Sequence, residues 1–205
     1  MDCLFLRRET ITVQRRTLLR SLAVLTASLG FGSALSVDAA PSAKRSMRYL
    51  RPPGVGPEEN FLVKCIRCGQ CGQICPNQAI RYFGLENGVY SLDTPYIIPR
   101  EQPCILCMKC GEVCPSGAIP RIQRDSDDII AQVNMGQAVV DPNLCLSYQG
   151  KTCGVCYRAC PLQGLAIKVG LLEQPTVMKD CVGCGLCERS CIQMPQAIRI
   201  FPPPA

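Results

Sequence analysis

Four cysteine runs of closely repeated spacing carry most of the chemical information in this chain of 205 residues and 17 Cys. Cys65, Cys68, Cys71 and Cys75 read CxxCxxCxxxC and are followed by Pro76. Cys104, Cys107, Cys110 and Cys114 repeat that spacing before Pro115. In the third run the first interval widens, from Cys145 to Cys153, and Cys156, Cys160 and Pro161 follow. Cys181, Cys184, Cys187 and Cys191 close the series. Three thiolates at two-residue intervals can wrap one face of a cubic iron–sulfur cluster, while the fourth points elsewhere; in chains that hold two such clusters it ligates the other one. The Pro after it ends the Cys-bearing turn. Gly69, Gly111, Gly154 and Gly185 are expected to let the backbone pass close to the metal.

Other chemistries fit this pattern less well. Structural zinc takes four ligands, usually from two separated CxxC pairs, so the third Cys of each triplet would be surplus. A disulfide scaffold suits a Cys-rich exported chain, yet near-identical triplets are hard to satisfy with pairwise bridges. His is absent, which removes Ser/His/Asp and Cys/His catalysis, His-ligated zinc and covalent haem at CxxCH. Rossmann glycines and P-loops are missing as well. The pattern therefore predicts four 4Fe-4S clusters held by sixteen Cys, and no substrate-transforming site. Lys64, Arg67, Lys109 and Lys179 stand near the runs as candidates for tuning the clusters. Cys3, ahead of the runs, reads as a leader residue.

The elements that position the runs show the same repeat. Each run is followed by an apolar stretch opening Ala-Ile, at Ala79-Ile80, Ala118-Ile119, Ala166-Ile167 and Ala197-Ile198. Each is preceded by another short apolar or β-branched run: Phe61-Leu62-Val63, Tyr96-Ile97-Ile98, Ala138-Val139-Val140 and Thr176-Val177-Met178. The expected unit is a strand, a Cys loop with one helical turn, and a strand. The fold class is α+β, two pseudo-symmetric two-cluster modules of short strands and short helices. Asp125-Ser126-Asp127-Asp128 predicts a capped short helix between the second and third runs. Arg51-Pro52-Pro53-Gly54 reads as a semi-rigid linker. Spacing leaves open which runs share clusters. Sequential sharing joins one with two and three with four, and nested sharing joins one with four and two with three. With 5% aromatic residues and no Trp, apolar burial alone leaves the fold marginal, so cluster loss is expected to unfold it.

The first 40 residues read as an export signal of twin-arginine type. Arg15-Arg16 precedes the uncharged run Ser21 to Val37, which ends among small residues at Ala39 and Ala40. The division expected is leader 1–40, linker 41–60 and a four-cluster domain 61–205. A folded, cluster-loaded chain suits a route that carries folded cargo, and places the protein in the periplasm, with an uncleaved leader as an alternative tie to the membrane. The net charge of +6 does not argue for nucleic acid, because five of the positive residues lie in the leader and cluster-bound thiolates reverse the rest.

These residues resemble the NapG/MauM family of ferredoxin-type proteins, within the wider group related to β subunits of molybdopterin oxidoreductases. The likeness rests on Arg48-Tyr49-Leu50-Arg51-Pro52-Pro53-Gly54, on Thr94-Pro95-Tyr96, and on the widened third run with Cys145-Leu146-Ser147-Tyr148-Gln149-Gly150 and Cys153-Gly154-Val155-Cys156-Tyr157-Arg158. It covers residues 48 to 203. It implies two modules of the bacterial ferredoxin kind and a periplasmic relay of electrons. The donor it implies is a membrane quinol-oxidising partner of the NapH/MauN kind. The acceptor would be a periplasmic oxidoreductase such as nitrate reductase. A maturation factor for a methylamine-type dehydrogenase, or an electron-transfer subunit of a larger oxidoreductase, is the alternative. The resemblance also implies nested sharing: Cys65, Cys68, Cys71 with Cys191; Cys104, Cys107, Cys110 with Cys160; Cys145, Cys153, Cys156 with Cys114; and Cys181, Cys184, Cys187 with Cys75.

Overall fold

The computed structural model describes residues 49–203, so the stretch 1–40 expected to be an export signal lies outside the described residues. The helices are α1 Glu58–Lys64, α2 Gln70–Gln73, α3 Lys109–Glu112, α4 Ser126–Gln132, α5 Val155–Arg158 and α6 Leu186–Ser190. The strands are β1 Arg81–Tyr82, β2 Pro95–Tyr96, β3 Gln137–Val140, β4 Ile167–Val169, β5 Pro175–Val177 and β6 Ile198–Phe201. All pair antiparallel in two-stranded ribbons: β1 with β2, β4 with β5, and β3 with β6. In the second half of the chain the strand before run three thus meets the strand after run four, and the two inner strands form a hairpin. Among the described residues no helix is long and apolar enough to cross a membrane.

Each Ala-Ile pair is buried: Ala79, Ile80, Ala118, Ile119, Ala166, Ile167, Ala197 and Ile198 all belong to the core. The strands are too short to stand alone, and the core also takes in Cys-loop residues such as Cys71, Leu106, Met108 and Val182 together with Leu50, Phe61, Ile97, Ile129 and Val133 from outside the loops. Asp125 caps α4 as expected, its carboxylate accepting from the Asp127 N–H at 3.1 Å, with Ile129 turned inward.

Two expected strands are not formed. Phe61-Leu62-Val63 lies in α1, because Pro57 and the acidic pair Glu58, Glu59 open a helix and Lys64 closes it, leaving Phe61 buried and Val63 exposed. Ala118-Ile119 stays irregular: the Ile119 N–H goes to the Cys114 sulfur, and Pro120 has no N–H to offer a ladder. Nor do the described residues 49–60 of the expected linker 41–60 run free of the body. Leu50 is 1% exposed and exchanges both backbone bonds with Ile97 at 2.8 Å. Arg51 acts as a buckle, ion-paired to Glu58 and donating to Thr94 Oγ1 at 3.0 Å and to the Pro95 carbonyl at 2.6 Å. Its guanidinium also lies 4.9 Å from the Phe61 ring and 5.1 Å from that of Phe83, which stacks on Tyr96. The packed body therefore begins by Tyr49.

Candidate metal centres

A tight backbone path is what brings sulfurs to a common space. After the second Cys of each run, one residue takes the left-handed conformation and opens the one-turn helix: Gly69, Met108, Gly154 and Gly185. In run two this place belongs to Met108 at φ 59°, with Leu106 also at φ 53°. Side chains adopt such angles at a cost of about 1 kcal/mol, which the surrounding packing must hold. Gly111, expected to serve that turn, does something else: a Cβ there would run into the Pro120 carbonyl, so it permits close approach of helix and following chain. Alternating right- and left-handed residues turn successive N–H groups inward, as around bound anions and iron–sulfur sites.

Three cavities are lined by four Cys each, and the composition of each is the same: a triplet from one run and the fourth Cys of its neighbour. The first is lined by Cys65, Cys68, Cys71 and Cys114, with Ala118 and Ile119. Another is lined by Cys181, Cys184, Cys187 and Cys160, with Ala166 and Ile167. A third is lined by Cys145, Cys153, Cys156 and Cys191, with Ala197 and Ile198. The remaining triplet, Cys104, Cys107 and Cys110, has Cys75 for company. Cys75 lies within the electrostatic reach of Cys110, and Asn77 just after it donates to the Pro103 carbonyl at 2.7 Å.

The nested sharing is thereby corrected. Cys191 lies with the third triplet and not the first, Cys75 with the second and not the fourth, Cys160 with the fourth, and Cys114 with the first. The reason is local: β1–β2 joins runs one and two, and β4–β5 joins three and four, so hairpin neighbours face each other.

In that order these spaces measure about 320, 380 and 380 Å³ with their mouths. The sulfurs stand around a volume, whereas zinc needs four of them within about 2.3 Å of one point. Among the described residues no three ligating side chains converge in that way, and the described cysteines are free thiols. Four sulfurs around an apolar space, backed by inward amides, fit a 4Fe-4S cluster.

Burial is the main influence on the thiols. It pushes Cys156 up to about 11 and Cys110 and Cys184 to about 12, and raises Cys104 and Cys187 further. Neighbouring Cys charges add to the rise. Cys114 goes the other way. Burial is its largest single influence and would raise it, but the Ile119, Ala118 and Ser116 amides and the Ser116 hydroxyl together hold it below the ordinary thiol value.

Adjacent cavities are coupled. Cys110 feels Cys71, Cys104 feels Cys184, and Cys187 feels Cys156. At the middle of this file the Cys104 N–H donates to the Cys184 carbonyl at 3.0 Å. Arg100, four residues before Cys104, donates to the Glu188, Arg189 and Cys191 carbonyls at 3.0–3.1 Å. Sequence reasoning missed this residue, since its partners lie some 90 positions away. It also missed Tyr82, whose hydroxyl lies over the first cavity's loop. Of the basic residues singled out, Arg67 braces that loop through the Tyr90 and Leu92 carbonyls. Lys64 lies in the last turn of α1, Lys109 opens α3, and Lys179 is exposed.

The family description "4Fe-4S dicluster domain" matches residues 64–118 and again 103–164. The methylamine utilization ferredoxin-type protein MauM of Methylorubrum extorquens is 38% identical over 83% of this chain and 80% of its own length. The ferredoxin-type protein NapG of Escherichia coli is 39% identical over 78% of this chain and 74% of its own. The NapG of Haemophilus influenzae is 36% identical over 96% of this chain and 75% of its own.

Proposed function

Because this chain belongs to the NapG/MauM family of ferredoxin-type proteins, we propose that it is a periplasmic relay that carries electrons through four 4Fe-4S clusters. The ligand sets of this reading are Cys65, Cys68, Cys71 with Cys114; Cys104, Cys107, Cys110 with Cys75; Cys181, Cys184, Cys187 with Cys160; and Cys145, Cys153, Cys156 with Cys191. The observation that carries it is the recurrence of one cavity composition, a triplet plus the neighbour's fourth Cys. Two pseudo-symmetric ferredoxin-like modules follow from the same exchange, each made of two runs around one inner hairpin.

A bound 4Fe-4S cluster takes up and gives back one electron without making or breaking bonds to a substrate. The protein's part is to hold and shield. The triplets and fourth Cys hold; the Ala-Ile pairs exclude water from the sulfurs; inward amides such as that of Ile119 on Cys114 stabilise negative charge. In this reading the order runs from the Cys65 set through the Cys104 and Cys181 sets to the Cys145 set, with the triplets of runs one and three at the two ends of the relay. The donor in this reading is a membrane quinol-oxidising protein of the NapH/MauN kind. The acceptor is a periplasmic oxidoreductase such as nitrate reductase, or, as for the relatives named for methylamine utilization, the machinery of a dehydrogenase. The leader Arg15-Arg16 supports export through the twin-arginine machinery.

Anaerobically isolated protein is expected to hold about 16 iron and about 16 acid-labile sulfide. The sharing of ligands has its own test in the double variant Cys68→Ser/Cys114→Ser. If both serve one cluster, about 12 iron remain; if they serve two, about 8 remain.

A further inference from the structure

Among the described residues, the first copy of the repeat holds a phenol, that of Tyr82, against a sulfur of its Cys loop. Three residues after the buried Ala of each Ala-Ile pair stand Tyr82, Arg121, Val169 and Ile200. Tyr82 donates to the Gly69 carbonyl at 2.6 Å and accepts from the Gly72 N–H at 3.0 Å. The same oxygen lies 3.8 Å from the Cys71 sulfur. A methyl at Gly72 would overlap that oxygen, so the bare α-carbon and the phenol are fitted to each other. In the fourth copy the equivalent tie is made with other atoms and away from sulfur: the Ile200 N–H donates to Glu188 Oε2 at 2.6 Å.

We propose that Tyr82 is a positioning residue that sets the reduction potential of the cluster held by Cys65, Cys68, Cys71 and Cys114 apart from the other three. This rests on the four-cluster reading above. The hydroxyl has one hydrogen and two acceptors within reach, the Gly69 carbonyl and the Cys71 sulfur. Reduction adds negative charge to the cluster and its sulfurs, and the hydrogen turns toward sulfur by rotation about the Cζ–O bond. No bond breaks and no proton leaves the phenol. An ordinary phenol keeps its hydrogen at neutral pH. A donor that strengthens its bond on reduction favours the reduced state, which raises the potential. Cys68, in the same set, is an exposed cysteine, so the tuned cluster stands where a partner can reach it.

The experiment is a redox titration of the holoprotein followed by electron paramagnetic resonance, with iron counted on each sample. In Tyr82→Phe one cluster should move to lower potential by about tenfold in its one-electron equilibrium, or about 59 mV, and three should stay. Gly72→Ala keeps the phenol and displaces its oxygen, and should move the same cluster in the same direction; it decides the matter if Tyr82→Phe fails to load. Tyr96→Phe, which alters a ring stacked on Phe83, is the control and should move nothing. Four unmoved potentials in a fully loaded Tyr82→Phe, or four that move together, would overturn the inference. A wild-type protein with far less iron would instead overturn the four-cluster reading before any variant is made.

Discussion

Once iron is taken from a thiolate, what the sulfur does next depends on how deeply it sits. An ordinary thiol titrates at 9.0, but Cys110, Cys156 and Cys184 do so near 11–12 in the folded chain. The sign is that of a group with a raised value. The folded chain holds these protons more tightly, so their contribution to stability is complete below about 9 and is lost as pH rises through 11–12. Chelating the iron near pH 9 should therefore draw nearly one proton per buried Cys from solution while the fold is kept, and release about half of these as the chain unfolds and the thiols return to their ordinary value. Uptake followed in a pH-stat beside circular dichroism checks this, and uptake of about half per Cys from the start would overturn it. Gly111 makes a second case. Gly111→Ala puts a Cβ into the Pro120 carbonyl and should cost about 2 kcal/mol, read as a lower midpoint in denaturant.

Between residues and molecule stand elements of two to seven residues, and their legibility in the sequence varied for physical reasons. The helix at Ser126–Gln132 was readable because its cap is local: Asp125 and Asp127 are neighbours in sequence as in space. Asp125→Ala should lower stability by about 1 kcal/mol and leave all cluster potentials in place, which calorimetry and a redox titration together would establish. The burial of the Ala-Ile pairs was readable because it repeats with the Cys, although at Ala118-Ile119 the following Pro120 keeps the pair out of a strand. The Phe61 segment was misread because apolar residues alone do not separate a strand from one face of a short helix; Pro57, Glu58 and Glu59 held the deciding signal. Arg51 was hidden altogether, as its partners Thr94 and Pro95 lie more than 40 residues on. Arg51→Met should keep the ring contacts and lose the ion pair and both hydrogen bonds. We expect the stretch from Tyr49 to Glu58 to become open to proteases while the iron content is kept.

Across the whole molecule the four Cys runs were plain in the sequence, but the grouping of their sulfurs around cavities was not, because it follows hairpins such as β4–β5 that spacing does not encode. The core draws many of its members from the Cys loops and the residues that line them. Removing the metal leaves those apolar spaces unfilled, at about 24 cal/mol for each Å³ of cavity that does not collapse. Circular dichroism should lose its native form when iron is chelated; a spectrum that persists would show that packing alone suffices. The two halves meet through Arg100 and the Cys104–Cys184 backbone bond. Arg100→Gln should leave the four clusters loaded but make a protease cut between residues 124 and 134 separate two iron-bearing fragments more readily.

The exchange of fourth cysteines between neighbouring runs also fixes a calendar for the chain as it is made. The first cavity lacks its last sulfur until residue 114 has left the ribosome, whereas the second already has all of its own by residue 110. In the later half, the cavity begun by Cys145 waits for Cys191, while that of Cys160 is furnished by residue 187. Each half thus finishes its inner site just before its outer one. A nascent chain that stalls anywhere between Cys114 and Cys145 carries one finished pair and nothing half-paired that iron could hold, so synthesis itself separates the loading of the two halves.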